Sequence, residues 1–375
     1  MPTMVDLPPR LAALHVFIAE RALPLWATAG VDAVGAFHEH LRLDGSLDTG
    51  TVRRMRGQAR QIYVYAHATL LGLYDGTAVA TGAFDRMIAD FWQPDGGFIF
   101  SVGPDGSPCD TSRTTYDQAF GLLAMAWLYR LTGSVTYLAW AARTLGFMDV
   151  ALADRTNGGY ADHVGAAKRC QNPHMHLLEA LLALFEATGD ERFLDRADAI
   201  HTLFAARFLD RSVPALREFF DAAWTPDPVR GDHLDPGHHF EWVWLLDRYR
   251  HHRPAATDET AALLGFARRG TDARDGLVID EMWADGRTLR GTKRMWPQTE
   301  HLKAQVVLFE REPASGLSDI DRVCGQLIDH YLDPVIGTWN DQVGADGGRL
   351  SKVSPASSFY HLFLAYTEAM RVASK

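Results

Sequence analysis

Six segments of the chain carry apolar residues so densely that little polar face is left. They begin at Gln58 (QARQIYVYAHATLLGL), Tyr116 (YDQAFGLLAMAWLYRL), His174 (HMHLLEALLALFEAT), His238 (HHFEWVWLLDRY), Thr299 (TEHLKAQVVLFERE) and Ser358 (SFYHLFLAYTEAM). All keep helical spacing, and their starts follow one another at intervals of 58 to 64 residues. More charged, Ala- and Arg-rich segments alternate with them, at about 10–39, 79–92, 134–150, 190–209, 257–271 and 318–332. A helix that is apolar nearly all round is buried, whereas an amphipathic one faces solvent on one side. The first set therefore predicts an inner ring of helices and the second an outer ring. Six such pairs predict an all-α fold, an (α/α)6 barrel, with residues 1–375 as a single domain.

The connections are unequal. Inner-to-outer turns are short, and several contain a glycine suited to a helix C-cap, as at 74–77, 131–134 and 187–190. Outer-to-inner loops run near or above about twenty residues, longer than ordinary connections. Several repeat a Gly-rich turn followed by aromatic or apolar residues, at 95–102, 157–164 and 336–343, and these predict short β-hairpins at one mouth of the barrel. Long loops gathered on one face of a rigid scaffold are where binding usually sits.

Composition narrows the class. With 37 Lys+Arg against 47 Asp+Glu the chain is net acidic at −10, which argues against a nucleic-acid-coating surface. Three widely spaced cysteines, Cys109, Cys170 and Cys324, provide neither a CxxC pair nor a zinc quartet and fit reduced thiols. The N-terminus MPTMVDLPPR lacks the layout of a signal peptide, and no apolar run reaches a membrane span. The expectation is a soluble cytoplasmic protein, monomeric or homodimeric, without nucleic-acid or membrane partners.

The chemistry concentrates where the inner helices begin. Their first turns carry Arg60, Tyr116 with Asp117, His174 with His176, His238 with His239 and Glu241, Glu300 with His301, and His361. Polar groups inside an apolar ring are costly to bury unless paired or used, so their recurrence at equivalent positions predicts one converging pocket. Each also has a plainer reading. Arg60 can neutralise a carboxylate across the barrel. Of His174 and His176, and of His238 and His239, at most one can face the lumen, because neighbours on a helix point to different faces. Glu241, three residues after His238, can orient that imidazole, and Lys303 can pair with Glu300. Tyr116, Trp242, Trp244, Trp296 and Trp339 read mostly as core, with one or two free to stack on a sugar ring.

Other site classes lack their motifs. The sequence has no Walker loop, no GxGxxG after a strand, no HExxH and no GxSxG. A His/Glu metal site assembled from separate helices stays open at this stage. Glycoside hydrolases on this barrel need a carboxylate pair, whereas the girdle is richer in histidine, which suits proton transfer near neutral pH. A glycoside hydrolase or lyase, and a non-catalytic sugar-binding protein, remain as alternatives from other classes.

Six ordered motifs then carry a resemblance. QAR at 58–60, YDQAF at 116–120, NPHMHLLEA at 172–180, PGHHFEW at 236–242, WPQTEHLKA at 296–304 and FYH at 359–361 are together similar to the N-acylglucosamine 2-epimerase superfamily. The WPQTE form and the compact length look most like its mannose isomerase branch. The resemblance implies an (α/α)6 barrel and a metal-independent, cofactor-free proton transfer between C1 and C2 of a reducing sugar through a cis-enediol(ate). It implies His361 as the base that takes the C2 proton, His238 as the second acid/base group and Arg60 as the stabiliser of the enediolate. It further implies Tyr116, Asn172, His176, Glu241 and Trp296 as substrate-binding residues, and Glu300 of the girdle and Trp339 of a mouth loop are expected to join them. The expected reaction is D-mannose to D-fructose, with D-lyxose to D-xylulose as a side activity and a monosaccharide as the partner. A sugar 2-epimerase and a mannose-6-phosphate isomerase are the alternatives, the latter drawing on Lys168, Arg169, Lys293 and Arg294 in the mouth loops.

Overall fold

The computed structural model describes residues 7–374, so the N-terminal reading falls partly outside the described residues. Twelve helical units alternate as the periodicity predicts. The outer units are α1 (Pro9–Val16, continuing through a π-helical segment Phe17–Ala22 into Leu23–Thr28), α3 (Thr77–Phe91), α5 (Val135–Ala151), α7 (Glu191–Leu203), α9 (Thr260–Arg269) and α11 (Ser318–His330). The inner units are α2 (Met55–Leu70), α4 (Thr115–Thr132), α6 (Asn172–Thr188), α8 (Pro236–His252), α10 (Met295–Arg311) and α12 (Ala356–Ala373). Each inner helix packs against the next, and α12 packs back on α2, so the inner ring is closed. Helix α1 packs on α11 and completes the outer ring. This is an (α/α)6 barrel. No helix among the described residues is long and apolar enough to cross a membrane.

The first outer helix stops well short of residue 39. Gly30 lies so close to Trp26 that a Cβ there would meet the Trp26 carbonyl oxygen at 2.5 Å. Beyond it, Asp32 accepts from the backbone N–H groups of Val34 and Ala36, and a bridge joins Val31 to Phe37. These local bonds offer the backbone an alternative to the helix.

The long loops contain short hairpins, among them Ser101–Val102 with Pro108–Asp110, Leu209–Asp210 with Ala215–Leu216 and Glu281–Trp283 with Thr288–Arg290, and strands also pair between loops. Strands just before inner helices pair with a neighbouring loop: Arg53–Arg54 with Ser101–Val102, Arg169–Cys170 with Phe219–Phe220, His233–Leu234 with Glu281–Trp283, Lys293–Arg294 with Gln342–Val343, and Val353–Pro355 with His40–Arg42. Adjacent loops thus satisfy one another's backbone groups and are stitched into a collar around one mouth.

A second repeat joins collar to barrel. Gln58 accepts from Phe37 N–H and donates to its carbonyl, both at 2.8 Å, and Gln118 does the same for Phe98 and Gln298 for Val278. In the third and fourth pairs this post is held by histidine. His174 Nε2 accepts from Tyr160 N–H at 2.9 Å, and His239 Nε2 accepts from Leu216 N–H at 2.8 Å. Their Nδ1–H groups donate to the carbonyls of Cys170 and Asp235. Burial holds both imidazoles down at about 4, so they are neutral loop braces.

Candidate active site

The N-termini of all six inner helices open on the collar side. Each helix N-terminus carries a partial positive charge, so the ring focuses positive potential on the pocket it encloses. Local sequence sets each entry. Thr114 caps α4 by accepting from Asp117 N–H, and Asp235 caps α8 by accepting from Gly237 N–H. Gly237 has a further role, because a Cβ there would meet the Trp296 ring at 2.8 Å. Its absence lets the indole lie against the start of α8, 4.9 Å from the His238 ring and 5.7 Å from the His361 ring.

The result is a cavity of about 290 Å³ lined by Arg54, Arg60, Tyr116, Asn172, His176, Asp235, His238, Glu241, Arg294, Trp296, Asp341, Ser357, Ser358 and His361. Eight of the expected site residues therefore meet in one place. Glu300 stands one layer behind and binds His361. Trp339 is elsewhere: it is fully buried, stacked on Trp26 with ring centroids 5.3 Å apart and packed on Phe359. Its large ring finds more apolar area between α1 and α12 than at the mouth. His301 likewise leaves the girdle to stack on Phe240. Of the basic residues considered for a phosphate, only Arg294 reaches the pocket. Lys293 is buried with Asp272 and Asp275, Arg169 with Asp154, and Lys168 pairs with Asp227.

The two principal histidines have opposite electrostatic settings. His238 donates Nδ1–H to Glu218 at 3.0 Å, not to Glu241 as the helical spacing suggested. Burial disfavours its cation, but Glu218 and Asp235 outweigh that and raise its pKa to about 9, so it is protonated at neutral pH. Asn172 Nδ2 lies 3.1 Å from His238 Nε2 while its own Oδ1 has no partner. A half-turn of that amide presents the oxygen to a protonated Nε2. His361 donates Nδ1–H to Glu300 at 2.9 Å, which leaves Nε2 as the nitrogen free to act. Burial, with Arg60 and Lys303 nearby, pushes it well below its ordinary value, so it is a neutral base.

Arg60 is buried without a carboxylate partner among the described residues. Nη2 donates to Tyr116 Oη at 2.7 Å and Nη1 to the Ser357 carbonyl at 3.3 Å, and Nε has no partner. The guanidinium is packed over Phe120, 4.2 Å from the ring centroid. Buried polar groups are almost always satisfied, yet Arg60 Nε and Glu241 Oε2 are both left open around one cavity. Glu241 is held well above the usual carboxylate range by burial and by Glu300. His176 sits edge-on to Tyr116 and pairs with Glu179 at 3.2 Å, its pKa pushed by burial to about 4.

Glu241, Glu300 and His361 bring ligand-type atoms within 4.8 Å of one another. A cation already stands there, the ammonium of Lys303, 2.5 Å from Glu300 Oε2.

Residues that the sequence reading passed over are Glu218, Asp235 and Asp341, together with Arg54 and the Ser357–Ser358 pair. Glu218 lies in the long loop before α8 and meets His238 only through the fold, with no spacing rule to reveal it. Arg54 and Asp235 each sit just before an inner helix, as does Arg294, and alignment of the repeats on the bracing glutamines would have found them.

The match to known proteins follows this geometry. The family model for N-acylglucosamine 2-epimerase (GlcNAc 2-epimerase) matches residues 35–365. A mannose-6-phosphate isomerase from Rhizobium meliloti (strain 1021) is 34% identical over 382 residues, covering 97% of each chain. A cellobiose 2-epimerase from Ruminococcus albus is 26% identical over 62% of this chain and 63% of its own. A crystal structure of a D-mannose isomerase superposes with a TM-score of 0.90 at 21% identity, over 99% of this chain and 100% of that one, and shares the fold.

Proposed function

Because the chain belongs to the N-acylglucosamine 2-epimerase family, whose members are sugar isomerases and epimerases, we propose that it is an aldose–ketose isomerase acting at C1 and C2 of a mannose-configured sugar, D-mannose to D-fructose. The observation that carries this reading is the asymmetry between the two histidines. One is a neutral base beside a carboxylate, and the other is a cation held by two.

The steps follow from these protonation states. His361 Nε2 takes the proton from C2 of the open-chain aldose, and the C2 electron pair forms the C1–C2 double bond while charge moves onto O1. Arg60 faces that charge, and protonated His238 supplies a proton to oxygen. His238, now neutral, takes the O2 proton, C2–O2 becomes the carbonyl, and His361 returns its proton to C1. An epimerase would need the second group to deliver a proton to C2 from the opposite face. The isomerase reading is favoured by the 34% identical relative, a mannose-6-phosphate isomerase. No metal or cofactor enters this scheme, and the whole barrel acts as one catalytic domain.

A second reading, the 6-phosphate of the same sugar, has two supports. The 34% identical relative is a mannose-6-phosphate isomerase. In addition, Arg54 and Arg294 line the pocket, each braced through Nε and Nη2 by carboxylates, Glu39 for the first and Asp280 with Asp235 for the second. Their Nη1 groups are left for a ligand. Proton NMR in D2O with mannose and mannose 6-phosphate in parallel tests both readings. Ketose appearing with loss of the C2 proton signal is expected, and ketose from the phosphate alone would select the second reading. Epimer formed ahead of ketose would sink the isomerase reading.

The pH profile supplies an independent check. His238 must be protonated to act as acid, so kcat/KM should fall as pH rises through about 9. In Glu218→Gln the anion that sustains the imidazolium is gone, and the alkaline limb should move to lower pH by roughly 1–3 units. An unmoved alkaline limb would show that His238 is not the acid.

A further inference from the structure

Below the sugar pocket the lumen is crossed by a buried polar layer. Lys303 from α10 is fully buried, its ammonium 2.5 Å from Glu300 Oε2 and 4.2 Å from the centroid of the Trp244 ring on α8. Glu241 on α8 and Glu179 on α6 are its other electrostatic partners. Each of these carboxylates touches or lines the pocket above. Glu300 accepts from His361, Glu179 pairs with His176 and accepts from Tyr360 Oη at 2.5 Å, and Glu241 faces the cavity itself.

A buried ammonium needs one carboxylate to be tolerated, and this one is set among three. Its immediate neighbour Glu300 is the group that fixes the His361 ring. Burial holds Glu300 above the usual carboxylate range, and Lys303 is the largest influence pulling it back toward the anion. A neutral Glu300 would no longer hold the proton of His361 on Nδ1.

We propose that Lys303 is a positioning residue for the catalytic base: by keeping Glu300 anionic against His361 Nδ1–H, it leaves Nε2 of His361 free to take the C2 proton. This rests on the reading of His361 as the base. The groups that face the pair are Arg60 from α2, His176 and Glu179 from α6, His238 and Glu241 from α8, Tyr360 from α12, and Lys303 itself.

The sign of the effect does not depend on how Glu300 and His361 share a proton. Removing a positive charge beside them raises the proton affinity of the pair, whichever member takes the proton. In Lys303→Met, which keeps the length of the side chain against Trp244, the acid limb of kcat/KM should therefore move to higher pH by about one unit or more. At a pH below the limb, activity should fall about tenfold for each such unit. A folded Lys303→Met protein whose rate falls with its acid limb in place would show a merely structural lysine and overturn the proposal.

A second measurement uses the unaltered protein and does not depend on that variant folding. Histidine ¹⁵N NMR, with the His361 signal identified by its absence in His361→Asn, should show a neutral Nδ1–H tautomer throughout pH 6–8. An Nε2–H tautomer, or ordinary titration near 6.5, would also overturn it. Wild-type protein inert toward every sugar would instead sink the isomerase reading, and the tautomer would still report on Lys303.

Discussion

Replacement of His361 by asparagine should lower kcat by about 10⁴-fold, the upper end of what a positioned general base contributes. The upper end is expected because one imidazole serves twice, taking the proton from C2 and returning it at C1. Burial keeps that imidazole neutral and Glu300 fixes its tautomer at 2.9 Å, so the free protein already holds the base in its reactive form. The asparagine amide can still accept or donate a hydrogen bond, but it cannot carry a proton between carbons. Sugar binding, read as product inhibition or by calorimetry, should change far less than kcat. The decisive signal is the C2 proton in D2O, which should persist indefinitely in His361→Asn. If it still exchanges at an appreciable rate, the base lies elsewhere, and His238 becomes the candidate.

Arg60→Met should lower kcat by about 10²–10³-fold, the range seen when a donor to a developing oxyanion is removed. The argument lies in what Arg60 lacks. It is buried among Phe120, Tyr116 and Tyr360, its ion-pairing capacity is unused among the described residues, and its Nε is unpartnered. An uncompensated buried cation opposes folding, so it is retained where negative charge appears only during reaction. The six helix N-termini point their partial charges at the same place. Stability should therefore move opposite to activity: thermal unfolding of Arg60→Met should occur at the same temperature or higher. A variant that loses both activity and several kcal/mol of stability would show that Arg60 holds the barrel together instead.

Much of this site was legible in the sequence, for a reason visible in particular residues. A two-residue offset repeats along the chain: Gln58 and Arg60, Gln118 and Phe120, His174 and His176, His239 and Glu241, Gln298 and Glu300. The first of each pair braces a loop and the second faces the lumen. Polar character alone singled out the histidines and acids of this pattern, whereas the three glutamines entered only as letters of the QAR, YDQAF and WPQTE motifs. Seen in register with them, His174 and His239 read as braces from the sequence alone. Trp339 was misplaced because its partner, Trp26, arrives only when α1 closes the outer ring, and the sequence separation between them carries no signal.

Helical periodicity is a local property of side-chain spacing, so the chain by itself determined six inner and six outer helices and the end of the barrel at which polar groups gather. Protonation is not local. His238 and His239 are adjacent in sequence, yet one is held at about 9 and the other at about 4. Glu218 reaches the first from the long loop before α8, while the second is sealed against Phe266 and a backbone N–H. Which histidine is acid, which is base and which is a brace was decided only by the tertiary structure, because burial and the distance to charge exist only once the ring has closed.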